Sequence, residues 1–451
     1  MMKRSICGSG LCAVLLAGLA GCSSSSSGGT VTTKSDASTK PDSGGTKPDG
    51  GHDAATSKPE AGEVSEGGVA LDAGPPRTVL VTYAGTAPTT VFAVNLDTNA
   101  IVGKVTSTDS DAITDTSNRY APFLINQHDG NVVLINSTTW TADGNWSVAL
   151  PVDGGVNGTD PVAVGVASES QVYVLRNTSN VIDVFDVTTP VDGGAPTTSI
   201  DLSSLVQPAD EDGVVDPAAA VYVASSKRLY VVLENIDTYA VDDFMGSYDT
   251  ICTQTISTVI AIDTTTNKVV SLNGSGPGGG IALAGFDPTS AVYDAAGGRI
   301  LLFEAGCNPA ATSDGGAPGA LKQRGVEAVD LTANTSKVLL DASTQGFPGN
   351  LVYIDPTHAV VGFTYPTYVA YSWDPTSATL GAALPNAPQL FDSDGNGNLV
   401  GASVNYGDGG SATTDIVSMS IATGKVTTLQ SNVIDLGTGG YLSSVGVWPR
   451  P

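Results

Sequence analysis

From Arg77 to Pro451 the apolar residues come in short runs of Val, Ile, Leu, Tyr and Thr. Gly, Asp, Asn and Pro break these runs roughly every 8–12 residues, which predicts short strands and tight turns in an all-β sandwich, barrel or propeller. No stretch sustains a 3.6-residue apolar period, so almost no helix is expected. Upstream the texture differs. Residues 22–76 hold Ser23 to Ser27, then Gly, Thr, Lys, Asp and Pro with almost no aliphatics. Such a segment cannot bury enough apolar surface to offset the entropy of ordering it, and it reads as a flexible tether. A coil of that length spans on the order of 40 Å.

Internal repeats narrow the architecture. One hairpin recurs as VFAVNLDTNAIVGKV from Val91, VIAIDTTTNKVVSL from Val259, VEAVDLTANTSKVLL from Val326 and VSMSIATGKVTTL from Val417, with looser copies from Val181 and Tyr368. A second recurs as APFLINQHDGNVVLINS from Ala121, PVAVGVASESQVYVLRN from Pro161 and PTSAVYDAAGGRILLFEAG from Pro288, with further copies from Pro217, Gly349 and Pro388. A proline stands at or beside the start of each: Pro122, Pro161, Pro217, Pro288, Pro348 and Pro388. Proline is tolerated at the first residue of a strand, where a missing N–H breaks no ladder. The two hairpins alternate into a four-stranded unit, a-b-c-d, which is one propeller blade.

Strand a is expected to begin near residues 121, 161, 218, 288, 350 and 388. An orphan b-c-d set precedes the first of these, and an orphan strand, YLSSVGVW from Tyr441, follows the last. The C-terminal strand can complete the N-terminal blade, giving a seven-bladed β-propeller closed by both chain ends. Six or eight blades stay open, because the fourth strand of blade two, sought near residues 145–157, is hard to find. The sequence VIAIDTTTNKVV, and the turn AAGGR before ILLF, resemble the YVTN/surface-layer type of seven-bladed propeller over residues 77–451. The chain departs from that family in its long insertions after strand b and in lacking a regular Val-Gly-x-x-Pro between blades. The resemblance implies a fold and no function.

The first residues are Met1-Met2-Lys3-Arg4, followed by an apolar run from Ile6 to Ala20. That run is shorter than the ~20 residues a spanning helix needs. Residues 1–21 therefore read as an export signal. They close on Leu19-Ala20-Gly21-Cys22, which resembles the lipobox of bacterial lipoproteins. The resemblance implies that Cys22 is lipidated and that the chain is cut before it, the alternative being a plain secretory signal with a chance cysteine. More than one acyl chain gives stable anchoring. Ser23, where an Asp in that family retains proteins at the inner membrane, implies an outer-membrane anchor. The membrane is then met through the N-terminal lipid only. Of the five cysteines, Cys7 and Cys12 leave with the signal and Cys22 takes lipid. Cys252 and Cys307 remain, an even pair in an oxidising compartment, and a disulfide is expected, with two free buried thiols as the alternative.

Charge changes the picture of partners. The net charge is −26, and residues 77–451 carry 13 basic and 37 acidic side chains. Such a surface repels nucleic acid and anionic headgroups and suits cations, basic partners or plain solubility. In a propeller the b–c and d–a connections emerge on one face around the central channel, and the long insertions are expected there. The connection after blade one carries Asp109, Asp111, Asp115 and Arg119. The b–c loop of blade two is expected to carry Trp140 and Trp146. That of blade four holds Asp237, Tyr239, Asp242, Asp243, Phe244, Tyr248, Asp249 and Cys252, and that of blade five holds Cys307 and Arg324. Acids mixed with aromatics suit a sugar, whose apolar faces stack on rings, or Ca²⁺, which wants six to eight oxygens. The plainer reading is that long polar loops in an acidic protein collect Asp.

Asp392, Asp394 and Asn396 resemble the start of a calcium loop but lack the distant Glu of an EF-hand, and Asp-Gly-Asn is also ordinary turn chemistry. No cofactor is called for, and Ca²⁺ is the one ion the pattern would suit. His128 and His358 are expected in a–b turns, on the face opposite the long loops. No metal spacing, nucleophile elbow or phosphate loop is found. The function expected is therefore that of a lipid-anchored cell-envelope propeller, a binding or scaffold protein whose long-loop face takes a glycan, a cation or an envelope partner. The alternative is an extracytoplasmic hydrolase or lyase, glycosidase- or lactonase-like, with paired carboxylates.

Overall fold

The computed structural model describes residues 77–85, 88–118, 120–148, 160–177, 179–188, 193–236, 241–244, 247–250, 252–307, 324–342, 344–345, 347–365, 368–406, 412–436 and 440–449. The stretches read as an export signal and a tether, with Cys22, lie outside them. The regular structure among the described residues is almost all strand, with three single-turn 3₁₀ segments. Seven antiparallel sheets of the a-b-c-d pattern account for nearly all of them.

Blade one takes strand a from the C-terminus, Tyr441–Trp448, and strands b to d from Thr78–Ala84, Thr89–Asn95 and Ile101–Ser107. Blade two is Ala112–Asp115, Phe123–Asn126, Asn131–Asn136 and Thr141–Ser147. Blade three is Pro161–Val166, Gln171–Arg176, Val181–Asp186 and Thr198–Asp201. Blade four is Pro217–Val223, Arg228–Leu233, Thr258–Asp263 and Lys268–Val270, with Ile281–Ala282 pairing further along its strand c. Blade five is Pro288–Asp294, Arg299–Glu304, Gly325–Asp330 and Thr335–Asp341. Blade six is Phe347–Asp355, His358–Tyr365, Val369–Asp374 and Thr379–Leu384. Blade seven is Leu390–Ser393, Asn398–Tyr406, Ala412–Ser420 and Val426–Gln430.

The burial pattern follows from the stacking of blades. In strand b of blade five every residue after Arg299 is buried, and in strand d of the same blade most are not. Strands b and c are covered on both faces by neighbouring blades, so their apolar runs are nearly continuous, whereas strand d is the outer edge. Seven apolar clusters fill the seven blade junctions. Phe123, Trp146, Val172 and Phe185 join blades two and three. Leu302, Val329, Val259 and Leu272 join four and five. Val79, Val94, Val400 and Ile416 close seven onto one.

The ring is shut by pairing Thr78 with Trp448 and Ala84 with Tyr441. Three polar contacts clasp blade seven to this closure. The Val447 N–H donates to Asp392 Oδ2 at 2.9 Å. The Arg77 guanidinium donates to the Asp394 carbonyl. It also meets the Asn396 amide oxygen when that side chain is turned to satisfy both partners.

Blade two departs from the sequence reading. Its strand a is Ala112–Asp115, inside the stretch read as a loop after blade one, and the proline-led segment at residue 121 supplies strand b. The expected fourth strand is Thr141–Ser147, earlier than sought. The blade count of seven stands, with this one blade shifted by a strand. The short strand a compensates with hydroxyl contacts. Thr114 Oγ1 lies 2.9 Å from both Thr82 Oγ1 and Ser444 Oγ, and the Thr114 N–H donates to Ser444 Oγ at 2.7 Å.

Candidate functional site

The b–c and d–a connections share one face of the ring, as their strand pairings require. In blade four the b–c connection leaves at Leu233 and returns at Thr258, and within it Val241–Phe244 and Ser247–Thr250 form a separate two-stranded hairpin. The register of that hairpin sets Asp242 opposite Asp249 and Asp243 opposite Tyr248, with Phe244 opposite Ser247. Asp237, Tyr239 and Arg119 lie outside the described residues.

The neighbouring long connection, in blade five, runs from Glu304 to Gly325. Cys252 and Cys307 join the two with a disulfide, their Cα atoms 4.9 Å apart. The bridge sits in a small apolar nest with Ile236 and Phe286. Arg324 is on this face but buried, and its Nε donates to the Ala305 carbonyl at 2.9 Å, tying the start of strand c to the exit of strand b.

The other residues singled out in the sequence fall elsewhere. Trp140 and Trp146 are 5% and 1% exposed and belong to the core, which corrects their expected place in a b–c loop. Trp140 ends the c–d turn of blade two and packs edge-on against Trp448 at 6.2 Å. Trp146 is in strand d, its backbone bridged to Gly194 of blade three and its ring packed with Phe123 and Phe185. The shift of blade two also moves His128 to the long-loop face, in a b–c turn, where its Nδ1 lies 3.5 Å from Asp109. Asp109 is buried there and caps its own turn by accepting from Asp111 N–H. Asp111 accepts from Tyr441 O–H, and Asp115 lies in strand a of blade two. His358 opens strand b of blade six, next to the expected a–b turn, with Asp355 at 2.9 Å.

Asp392, Asp394 and Asn396 are brought together at the a–b turn of blade seven, on the face away from the long loops. Asp392 Oδ1 accepts from Ser393 N–H, and Asp394 Oδ1 accepts from the N–H groups of Asn396 and Asn398. With the contacts to Val447 and Arg77, these side chains hold the turn and the ring closure together. Among the described residues no group of three or more His, Cys, Asp or Glu is arranged to hold a metal ion.

The sequence reading missed a group of acids under the long-loop face. Glu304 ends strand b of blade five, Glu327 follows in strand c, and Asp287 precedes strand a. They are 1%, 1% and 8% exposed. Glu327 accepts from Ala284 N–H at 3.0 Å and from Gly285 N–H at 2.8 Å. Burial first, then the neighbouring Glu327 and Asp287, push the Glu304 carboxyl well above the ordinary glutamate range. A second raised acid on this face is Asp210, carried to about 7 by burial and by Asp212 beside it. The signal for Glu304 and Glu327 was a carboxyl inside apolar strand text, ILLFE and VEAV.

No family model and no curated protein matches this chain. Solved structures do resemble it, a β-propeller domain among them. The β-propeller domain of Cps50 (Swd1) from Myceliophteria thermophila is 13% identical over 78% of this chain and 94% of that one, with a TM-score of 0.44. Hydrazine synthase of Kuenenia stuttgartiensis is 14% identical over 83% and 100%, with a TM-score of 0.48. A Bacteroides fragilis protein named as a 6-phosphogluconolactonase is 13% identical over 84% and 99%, with a TM-score of 0.46. Likeness at this level carries no activity across, and the chain stands as a seven-bladed β-propeller on its own topology.

Proposed function

We propose that this protein is an exported, lipid-anchored envelope propeller that binds a partner through the face of its long connections. The observation that supports this is the disulfide between equivalent connections of adjacent blades. A covalent tie placed out on the connections, with a hairpin rising beside it, fits a surface held in shape for recognition. The hairpin sequence offers acids and aromatics, which suits a glycan or a cation. Lipidation at Cys22 would hold the domain at the outer membrane.

Three measurements test the reading. Glycan arrays and calorimetry with Ca²⁺ should show binding that is lost when residues 241–250 are replaced by a short Gly-Ser turn. Membrane pelleting should be lost in Cys22→Ala. Absence of any glycan or Ca²⁺ binding, with envelope complexes unchanged by the loop replacement, would sink the binding role.

The hydrolase reading has one observation in its favour, the convergence of Glu304 and Glu327 with a raised carboxyl. Their burial to 1% closes them off from a substrate, so the binding reading is preferred.

A further inference from the structure

The ring repeats itself closely enough for one blade to be compared with another. In blade three, Arg176 ends strand b opposite Pro161, and Asp183 stands in strand c opposite Val174, two residues before Arg176. In blade five, Glu304 ends strand b opposite Pro288, and Glu327 stands in strand c opposite Leu302, two residues before Glu304. The two pairs occupy the same places and face the preceding blade. In blade three they are a guanidinium and a carboxylate 3.3 Å apart, both buried. Blade five puts a second carboxyl where blade three puts the cation.

Among the described residues the surroundings of Glu304 supply no counter-charge. Glu327 and Asp287 are the charged groups that act on it, and both are acidic. From blade four, the junction receives Val232, Val259, Ala261 and the phenol of Tyr230. Arg324 is turned to the Ala305 carbonyl. The roof is backbone: a Cβ on Gly285 would fall 1.1 Å from Glu304 Oε2, so the carboxyl lies directly under that glycine. Neither Glu304 oxygen accepts from an N–H or from a hydroxyl. Two adjacent carboxylates at this depth cannot both stay ionised without a partner. One proton between them makes a donor of Glu304 and leaves Glu327 to accept from it and from the Ala284 and Gly285 amides.

We propose that Glu304 and Glu327 share a single proton and form a pH-sensitive latch holding residues 282–287 down at the root of the long loops. Phe286, in that segment, packs with Cys252, Cys307 and Ile236, so releasing the segment loosens the nest around the disulfide. The effect on partner binding rests on the function proposed above; the latch itself does not. The sign is fixed by the raised carboxyl. An acid whose folded pKa exceeds its unfolded value gives a fold most stable at low pH, and stability falls as pH rises from the unfolded value toward the folded one.

Hydrogen exchange on the wild-type protein and on Glu304→Gln tests this without any ligand. In the wild type, protection of the Ala284 and Gly285 amides, corrected for intrinsic base catalysis, should fall about tenfold or more between about pH 5 and about pH 9. Glu304→Gln donates to Glu327 without titrating, and its protection should change less than about twofold over that range. Difference infrared spectra of the wild type near neutral pH should show a protonated buried carboxyl that Glu304→Gln lacks. Equal pH dependence in wild type and variant overturns the latch, as does absence of the protonated-carboxyl band. A gain in protection on adding Ca²⁺ to the wild type alone also overturns it, since the pair would then hold a cation.

Discussion

Trp146 shows how far a single side chain can be from the role its letter suggests. It lies in TADGNWS, a segment polar enough to pass for a loop, yet it is among the largest fully buried side chains. It is hidden because its ring packs in the junction of blades two and three with Phe123, Val172 and Phe185. A buried Trp removed to Ala leaves a cavity that the surrounding strands cannot close, so Trp146→Ala should cost about 3–5 kcal/mol in urea unfolding. A residue held for ligand contact would leave stability nearly unchanged. Glu304 is the converse case. Its text, ILLFE, places a carboxyl at the end of a buried strand, but only the register with strand c shows which acid stands beside it. Asp392, Asp394 and Asn396 read as a calcium pattern because turn chemistry and calcium loops use the same oxygens. The contacts to Val447 and Arg77, more than 50 residues away in one case and more than 300 in the other, belong to the ring and to no local pattern.

At the scale of elements, the disulfide and the hidden strand matter most. Cys252 and Cys307 are 55 residues apart, and closing a loop of that length in the unfolded chain gives about 4 kcal/mol in the entropy model. Replacing both with Ser should lower the stability measured by denaturant titration toward that figure. The loss should match that of the wild type assayed in reductant. Equal stability in the two forms would mean that the connections hold their places without the bridge. Most strands were legible because b and c of most blades are mainly apolar and are bounded by Asp, Asn and Gly turns. Strand a of blade two was not. Ala112–Asp115 has four residues, ends in a carboxylate and lacks the leading proline of its counterparts at 161, 217 and 288. The proline near residue 121 then drew the register forward by one strand. That slip reverses which face each turn occupies, which is why His128 and the two tryptophans were misplaced while blades three to seven were read in register.

For the propeller as a whole, closure is the decisive fact. Strand a of blade one comes from the far end of the chain, so the first blade is complete only once the last residues are in place. Removing residues 441–451 would bare the paired edge of Thr78–Ala84 and uncover the junction that Val79, Val81 and Leu442 help fill. The truncated chain should lose its cooperative unfolding transition and bind a hydrophobic dye. A truncated chain that melts cooperatively near the wild-type temperature would show that six blades and an open seventh suffice. The seven junction clusters explain why the count could be reached from sequence at all. Each blade must bury both faces, so each repeats the same apolar text, and the number of copies is the number of blades.

The closure can also be viewed as a mechanical joint. The chain enters the ring at Arg77, at the end of a strand flanked on one side by residues 89–95 and on the other by residues 441–448. A pull applied through that entry runs along the strand axis. The hydrogen bonds of both ladders lie across the pull and carry it together, in shear, where a pull on an edge strand would break them one after another. Arg77 adds a grip on blade seven just where the force arrives. If residues 22–76 tether the domain as proposed above, any load arriving along them would fall on a strand paired on both sides.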